Sequence, residues 1–380
     1  MKTFIQRLQR YRRALLQTSF AVILFFSLSF QHCLPAWSGT LPMPFTLGFL
    51  AQGDAITDPN AILRYALPID NDSVRDLQES LEQISKYLRG KRWSGVSKQV
   101  KSAAKVLKLH REDILASVPE TRQPQAQALL ENIESGMTKL EAALEGKDRE
   151  GIWITRRELL GEIGKVEALM VDQFPFEVPE AYGNLPQLKG RATIEMKTTR
   201  GDMTIVVDGY SAPINAGNFV DLVKRKFYDG LPFVRSDDSF VVQTGDPPGK
   251  DEGFIDPKTK KYRSIPLEIL VKGDELPIYG DILEDLGIYL PDLALPFNAY
   301  GAVALGRPDT DPNGGSSQFF FFRFDTELTP PGFNLMDGRY SVFGYVVKGK
   351  EVLDKLGNDD KVISAKVVDG LDKLVKPAKR

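Results

Sequence analysis

The apolar residues of this chain change their spacing once, and that change dictates two domains of different kinds. Up to about Met170 they recur at steps of three and four, the spacing of one helix face; beyond Pro186 they alternate with polar residues, as in a half-buried strand. At 380 residues the chain also exceeds what one hydrophobic core usually organises.

In the front half, Asp58-Pro59 has the cap-then-proline order of a helix start and opens a short helix to about Leu67. Four apolar stripes follow. Val74, Leu77, Leu81, Ile84 and Leu88 form the first, and Trp93, Val96, Val100, Ala103, Leu107, His110 and Ile114 the second. Ala126, Leu130, Ile133, Met137, Leu140 and Leu144 form the third, and Leu159, Ile163, Val166 and Met170 the fourth. Short breaks at Arg89-Gly90, Val118-Pro119 and Glu145-Gly146 join them, so an all-α four-helix bundle is the economical expectation, ahead of an intermolecular coiled coil. The lysine face of the second stripe, Lys98 to Lys108, is expected to be solvated.

Phe174-Pro175 through Pro186 interrupts any helix. After it, alternation at Ala192, Ile194 and Met196, a turn at Arg200-Gly201 and then Met203 to Val207 predict a strand, turn and strand. A helix capped near Ser211 buries Phe219, Leu222 and Val223. Several short strands and one more helix, at Lys350 to Leu356, complete a closed antiparallel β-barrel with two helices, a design that removes exposed sheet edges. The domains expected are a signal peptide at 1–38, an extended arm at 39–57, a helical bundle at 58–173, a Pro-rich linker at 174–190 and the barrel at 191–380.

The amino terminus carries Lys2, Arg7, Arg10, Arg12 and Arg13, no Asp or Glu before residue 39, and the apolar run Ala21 to Phe30 followed by Ala36-Trp37-Ser38. That is the pattern of a cleavable export signal, since the run is about half the length of a bilayer span. Cleavage removes the only cysteine, Cys33, and leaves His110 as the sole histidine. Nucleophilic catalysis by Ser-His-Asp or Cys-His, dithiol redox chemistry and His/Cys zinc sites then lack their parts. With 49 Lys+Arg against 51 Asp+Glu, nothing in the charge points to nucleic acid.

Four ordered stretches of the back half resemble the cyclophilin family of peptidyl-prolyl isomerases: Ala212-Pro213 to Asn218-Phe219 with Phe227-Tyr228-Asp229-Gly230; Phe233-x-Arg235 with Phe240-Val241-x-Gln243-x-Gly245-Asp246; Gly314-Gly315-Ser316-Ser317-Gln318-Phe319-Phe320; and Asp337-Gly338-Arg339-Tyr340-Ser341-Val342-Phe343-Gly344. An exported chain pairing a helical bundle with such a barrel is similar to the multidomain cyclophilins of the thylakoid lumen in plants and cyanobacteria. The resemblance implies isomerisation of Xaa-Pro bonds without cofactor or metal and residence in the thylakoid lumen or periplasm. It also implies a role in photosystem II assembly, with proline-containing client polypeptides and a membrane protein complex or phosphatase as partners.

By the same resemblance Arg235 is the catalytic residue. Phe240, Val241, Phe320 and Met336 match positions that form the proline pocket, and Gln243 and Gln318 match positions that orient the peptide. Leu335 stands where many eukaryotic cyclophilins carry tryptophan, Tyr340 where histidine is common, and Arg307 where a backbone-binding asparagine is common. Asp237 and Asp238 sit in the turn after Arg235, and residues 247–300 form a long acidic connection, either an ordered surface insertion or a partner-docking surface. The competing expectation is a catalytically weak or inactive scaffold of the same fold, binding partners through the helical domain or the acidic insertion.

Overall fold

The computed structural model describes residues 56–236, 240–250, 252–323 and 334–376. The export signal, nearly all of the arm, and Asp237 and Asp238 lie outside the described residues.

The front half holds a short helix α1 (Pro59–Tyr65) and four long ones, α2 (Asp72–Arg89), α3 (Trp93–Ala116), α4 (Gln123–Glu145) and α5 (Arg149–Met170). Two single turns of 3-10 helix, Glu120–Arg122 and Glu180–Tyr182, bring the helical segments among the described residues to seven, more than a plain four-helix count. The stripes are buried because each side of a helix meets a neighbour: α2 packs on α3 and α5, and α4 on α3 and α5. Asp58, Asn71 and Asp148 cap α1, α2 and α5 by accepting backbone N–H groups that the first turn leaves unpaired. The second stripe breaks where it was expected to continue. His110 adopts φ −121° at a kink in α3, and its ring turns outward to Asp113 at 3.0 Å while Ile114 stays buried.

The back half is one antiparallel sheet of eight strands. In chain order these are β2 (Arg191–Thr198), β3 (Gly201–Asp208), β4 (Phe233–Ser236), β5 (Val241–Thr244), β8 (Ala302–Leu305), β9 (Phe319–Phe322), β10 (Val342–Lys348) and β11 (Val362–Asp369). Across the sheet the order is β11-β2-β3-β10-β8-β9-β5-β4. Two-stranded pairs β1 (Gln187–Leu188) with β12 (Leu374–Val375), and β6 (Glu268–Ile269) with β7 (Ile278–Tyr279), lie apart from it.

The closed barrel expected from sequence is half-closed. β4 has four residues and β11 eight, so the two edges meet at one end only, through Gly230 N–H to the Val362 carbonyl at 2.7 Å and Phe233 N–H to the Asp360 carbonyl at 3.0 Å. Helix α6 (Pro213–Lys224) packs against the inner face, where Phe219 meets Phe319, Tyr228 and Phe343 with ring centroids 5.0–5.3 Å apart. A last short helix α7 (Lys350–Leu353) follows β10.

Helix α1 joins the two halves. Ile62 and Leu63 are buried in an apolar cluster on the outer sheet face together with Phe297, Phe320, Phe322 and Tyr345. Arg191 of β2 donates to the Leu63 carbonyl and, at 2.6 Å, to Asp208. On the other side Arg64 pairs with Glu82 of α2 at 2.8 Å, and Arg75 donates at 2.9 Å to the Arg64 and Leu67 carbonyls. Arg191 and Arg75 thus tie carbonyls at the end of the short helix to the sheet on one side and to α2 on the other.

Candidate active site

Strand alternation divides the run Phe319–Phe322 between two cores. Phe319 and Phe321 face inward toward α6, whereas Phe320 and Phe322 join the outer cluster with Val241, Ala302 and Ala304. Val241 lies opposite Phe322 and Gln243 opposite Phe320 in the β5–β9 register, so an apolar position and an amide fall side by side on one face. Gly245, with φ +94°, ends β5 where a Cβ would approach the Ser317 carbonyl to 2.4 Å, so only glycine lets the two segments come this close.

The two glutamines meet. Gln243 Nε2 donates to Gln318 Oε1 at 2.6 Å, and Gln318 Nε2 donates to the Glu252 carbonyl at 2.8 Å and to Asp246 at 3.1 Å. Burial, and then the charge of Glu252, raises the Asp246 carboxyl above its usual range.

One wall of the hollow is Phe320. Phe297 stacks on it with centroids 6.1 Å apart, and Tyr340 meets it edge-on at 5.5 Å. The Tyr340 hydroxyl donates to Asp309 at 3.1 Å, and the Arg307 guanidinium sits 4.9 Å over its ring. Arg307 is itself held by the Arg339 and Pro308 carbonyls at 2.7 and 2.8 Å. Arg307 thus braces the tyrosine from behind.

A tight turn supplies the rest of the rim. Asp337 accepts the Phe297 N–H at 2.9 Å and the Asn334 N–H at 3.1 Å, while Asn334 accepts from Met336 N–H at 3.0 Å. Burial pushes the Asp337 carboxyl up to about 7 against the lowering effect of those two backbone donors. The turn places Met336 half-buried beside the cluster and leaves Leu335 79% exposed at its tip.

Among the residues singled out from sequence, Val241, Phe320, Met336 and Tyr340 therefore converge on one cluster, and Gln243 and Gln318 bond at its edge. Phe240 and Leu335 are exposed on the rim. Arg235 enters through its backbone, paired with Gln243 across β4 and β5; its side chain lies outside the described residues. Sequence reasoning missed Phe297, Asp309 and Asp337 as parts of this site. The Asp309 carboxylate accepts from Tyr340 across thirty-one positions, a pairing no local pattern signals. Asp337 stood in a quoted motif, where an Asp before a Gly at φ +82° is a recognisable turn signal.

A curled antiparallel sheet with an aromatic hollow and paired amides on its outer face belongs to the class of cyclophilin-fold proteins. Residues 193–376 match the family model for cyclophilin type peptidyl-prolyl cis-trans isomerases, and residues 58–171 match the PsbQ-like domain of CYP38-like peptidyl-prolyl cis-trans isomerases. A Synechocystis protein named as a thylakoid lumen peptidyl-prolyl cis-trans isomerase is 65% identical over 95% of both chains. The chloroplastic peptidyl-prolyl cis-trans isomerases CYP38 and CYP37 of Arabidopsis thaliana are 44% and 31% identical, over 87% and 83% of this chain and 78% and 70% of theirs. The chain belongs to the cyclophilin-type peptidyl-prolyl cis-trans isomerases.

Proposed function

We propose that this chain turns Xaa-Pro bonds of client polypeptides in the thylakoid lumen, as a folding and assembly factor for proteins such as those of photosystem II. The names of its relatives support the lumenal location and the reaction. The observation that carries the site assignment is the convergence of Val241, Phe320, Met336 and Tyr340 beside the bonded pair Gln243 and Gln318, opposite the backbone of Arg235.

Rotation about an Xaa-Pro bond meets a barrier of about 18–20 kcal/mol, because resonance stiffens the C–N bond. The catalyst must favour the twisted state over both planar ones, and no covalent step is needed. In this reading the proline ring enters the hollow against Phe320 and Met336, where its apolar surface leaves water. Gln243, whose amide nitrogen is committed to Gln318, keeps its oxygen for a peptide N–H. Arg235, charged at any relevant pH, donates toward the prolyl nitrogen as it loses conjugation and becomes basic.

The test is isomerisation of a short proline peptide by the full chain and by Arg235→Ala. We expect the variant to lose about a hundredfold or more in kcat/KM, the scale of a lost transition-state donor. Equal rates in the two proteins, or no rate above background in either, would remove Arg235 and the hollow from catalysis.

A second reading is a weakly active scaffold that binds a membrane protein complex or phosphatase through its helical half. It is favoured by the seating of Ile62 and Leu63 in the same cluster as Phe320, which couples the helices to the catalytic face. Rescue of a deletion strain by Arg235→Ala to the level of the unaltered chain selects this reading over the first.

A further inference from the structure

The segment from Leu267 to Leu293 builds a small core of its own. Leu267, Ile269, Leu283 and Leu293 are buried together, and Lys272 pairs with Asp292 at 2.7 Å across its base. This core leaves other large apolar residues outside it. Leu286, Tyr289 and Leu290 are exposed, Tyr289 to 68%. Leu290 has φ +52°, a left-handed conformation that leucine rarely adopts.

That surface is fastened to the rim of the catalytic hollow. The Leu283 N–H donates to the Gly338 carbonyl at 3.1 Å, and Glu284 pairs with Arg339. The 3-10 turn Leu283–Leu286 is therefore fixed to the turn that carries Leu335 and Met336. Charge adds a second constraint. Glu284 and Asp292 have basic partners, whereas among the described residues no Lys or Arg pairs with Asp281, just before the turn, or with Asp285 within it.

We propose that the insertion is an exosite for the client: it holds apolar and basic residues of the same polypeptide segment that delivers its proline to the hollow. This rests on the isomerase reading above and names the substrate class that reading leaves open. Leu286, Tyr289 and Leu290 bury the client's apolar side chains, and Asp281 and Asp285 attract lysine or arginine between them while repelling acidic segments. An extended peptide advances about 3.3 Å per residue, so a tetrapeptide centred on the hollow engages little of this surface and a longer client engages it fully.

The experiment compares three substrates of the full chain: a tetrapeptide, and two longer peptides sharing one Ala-Pro core, one flanked by Leu and Lys, the other by Leu and Glu. We expect kcat/KM to favour the Lys-flanked over the Glu-flanked peptide by about tenfold, and salt to narrow the gap. Leu286→Ser with Tyr289→Ser and Leu290→Asn should abolish the advantage of the longer peptide and leave the tetrapeptide rate unchanged. Asp281→Asn with Asp285→Asn, a change confined to the surface charge, should abolish only the Lys-over-Glu preference. Equal rates for the two longer peptides, or a preference that survives both variants, overturns the exosite. Fluorescence anisotropy separates it from the isomerase reading: discriminating binding without turnover faults catalysis alone, and turnover of the tetrapeptide without discrimination faults the exosite alone. A dimer in sedimentation that the triple variant dissolves would assign the surface to a second copy of the chain and overturn the proposal.

Discussion

The helical half and the sheet half each bury a glutamate, and they satisfy it in opposite ways. Glu167 of α5 has one carboxylate oxygen on Arg75 at 3.1 Å, and its other oxygen has no hydrogen-bond partner. Glu268 of β6 accepts from the Ile214 N–H at 3.1 Å and the Asn215 N–H and side-chain amide at 2.8 and 2.9 Å, all at the start of α6. Burial raises both carboxyls to about 7. One glutamate thus closes a charge network between helices, while the other supplies the cap that α6 lacks from its own residues. In the bundle the imperfect shell is tolerated because Arg75 is held by other acceptors as well, the Arg64 and Leu67 carbonyls and Gln78; at the helix start the carboxylate takes up the Ile214 and Asn215 N–H groups, while the Asn215 side-chain amide also donates to the Pro266 carbonyl at 3.1 Å.

The largest effect expected from this contrast is on Glu268→Ala, which takes the acceptor from the buried Ile214 and Asn215 N–H groups and should cost about 3–5 kcal/mol in denaturant unfolding. Glu167→Gln keeps an acceptor for Arg75 and should cost less than about 1.5 kcal/mol. Equal losses would erase the distinction.

A smaller effect is the pH dependence. Glu167, Glu268 and Asp337, each raised to about 7, hold a proton in the folded chain where the unfolded chain has released it. Their contribution is complete below about pH 4, the unfolded carboxylate range, and is lost as pH rises through 7; a fully realised shift is worth on the order of 3 kcal/mol per group. Unfolding free energy should therefore fall between pH 5 and pH 8, and Glu167→Gln should flatten about a third of that slope. A slope unchanged in the variant would show that Glu167 is ionised throughout.

The smallest effect belongs to the exposed pair His110 and Asp113. His110→Ala should change stability by no more than about 0.5 kcal/mol and leave the isomerisation rate unaltered, as surface ion pairs usually do. A clear loss of rate would return the only histidine of the described residues to the chemistry.

Much of the helical half was legible because burial there follows a local period. Val74, Leu77, Leu81, Ile84 and Leu88 are all buried at the spacing that named them. The reading failed at His110, where a kink moves the next position off the face, and no spacing rule registers a kink. In the site, the shared face of Val241 and Gln243 was legible from alternation. The bracing of Tyr340 by Arg307 and Asp309 was not, since those residues lie some thirty positions apart along an irregular path.

From its residues alone this chain specified a helical front, a stranded back, the break between them, and which side of most elements would leave water. Those are local properties, set by backbone geometry within a few residues. Only the tertiary structure decided that Gln243 would bond Gln318, that Ile62 and Leu63 would seat beside Phe322, and that the sheet would stop short of closing. Such convergence depends on strand order, register and the length of edge strands, which emerge when distant segments compete for the same partners.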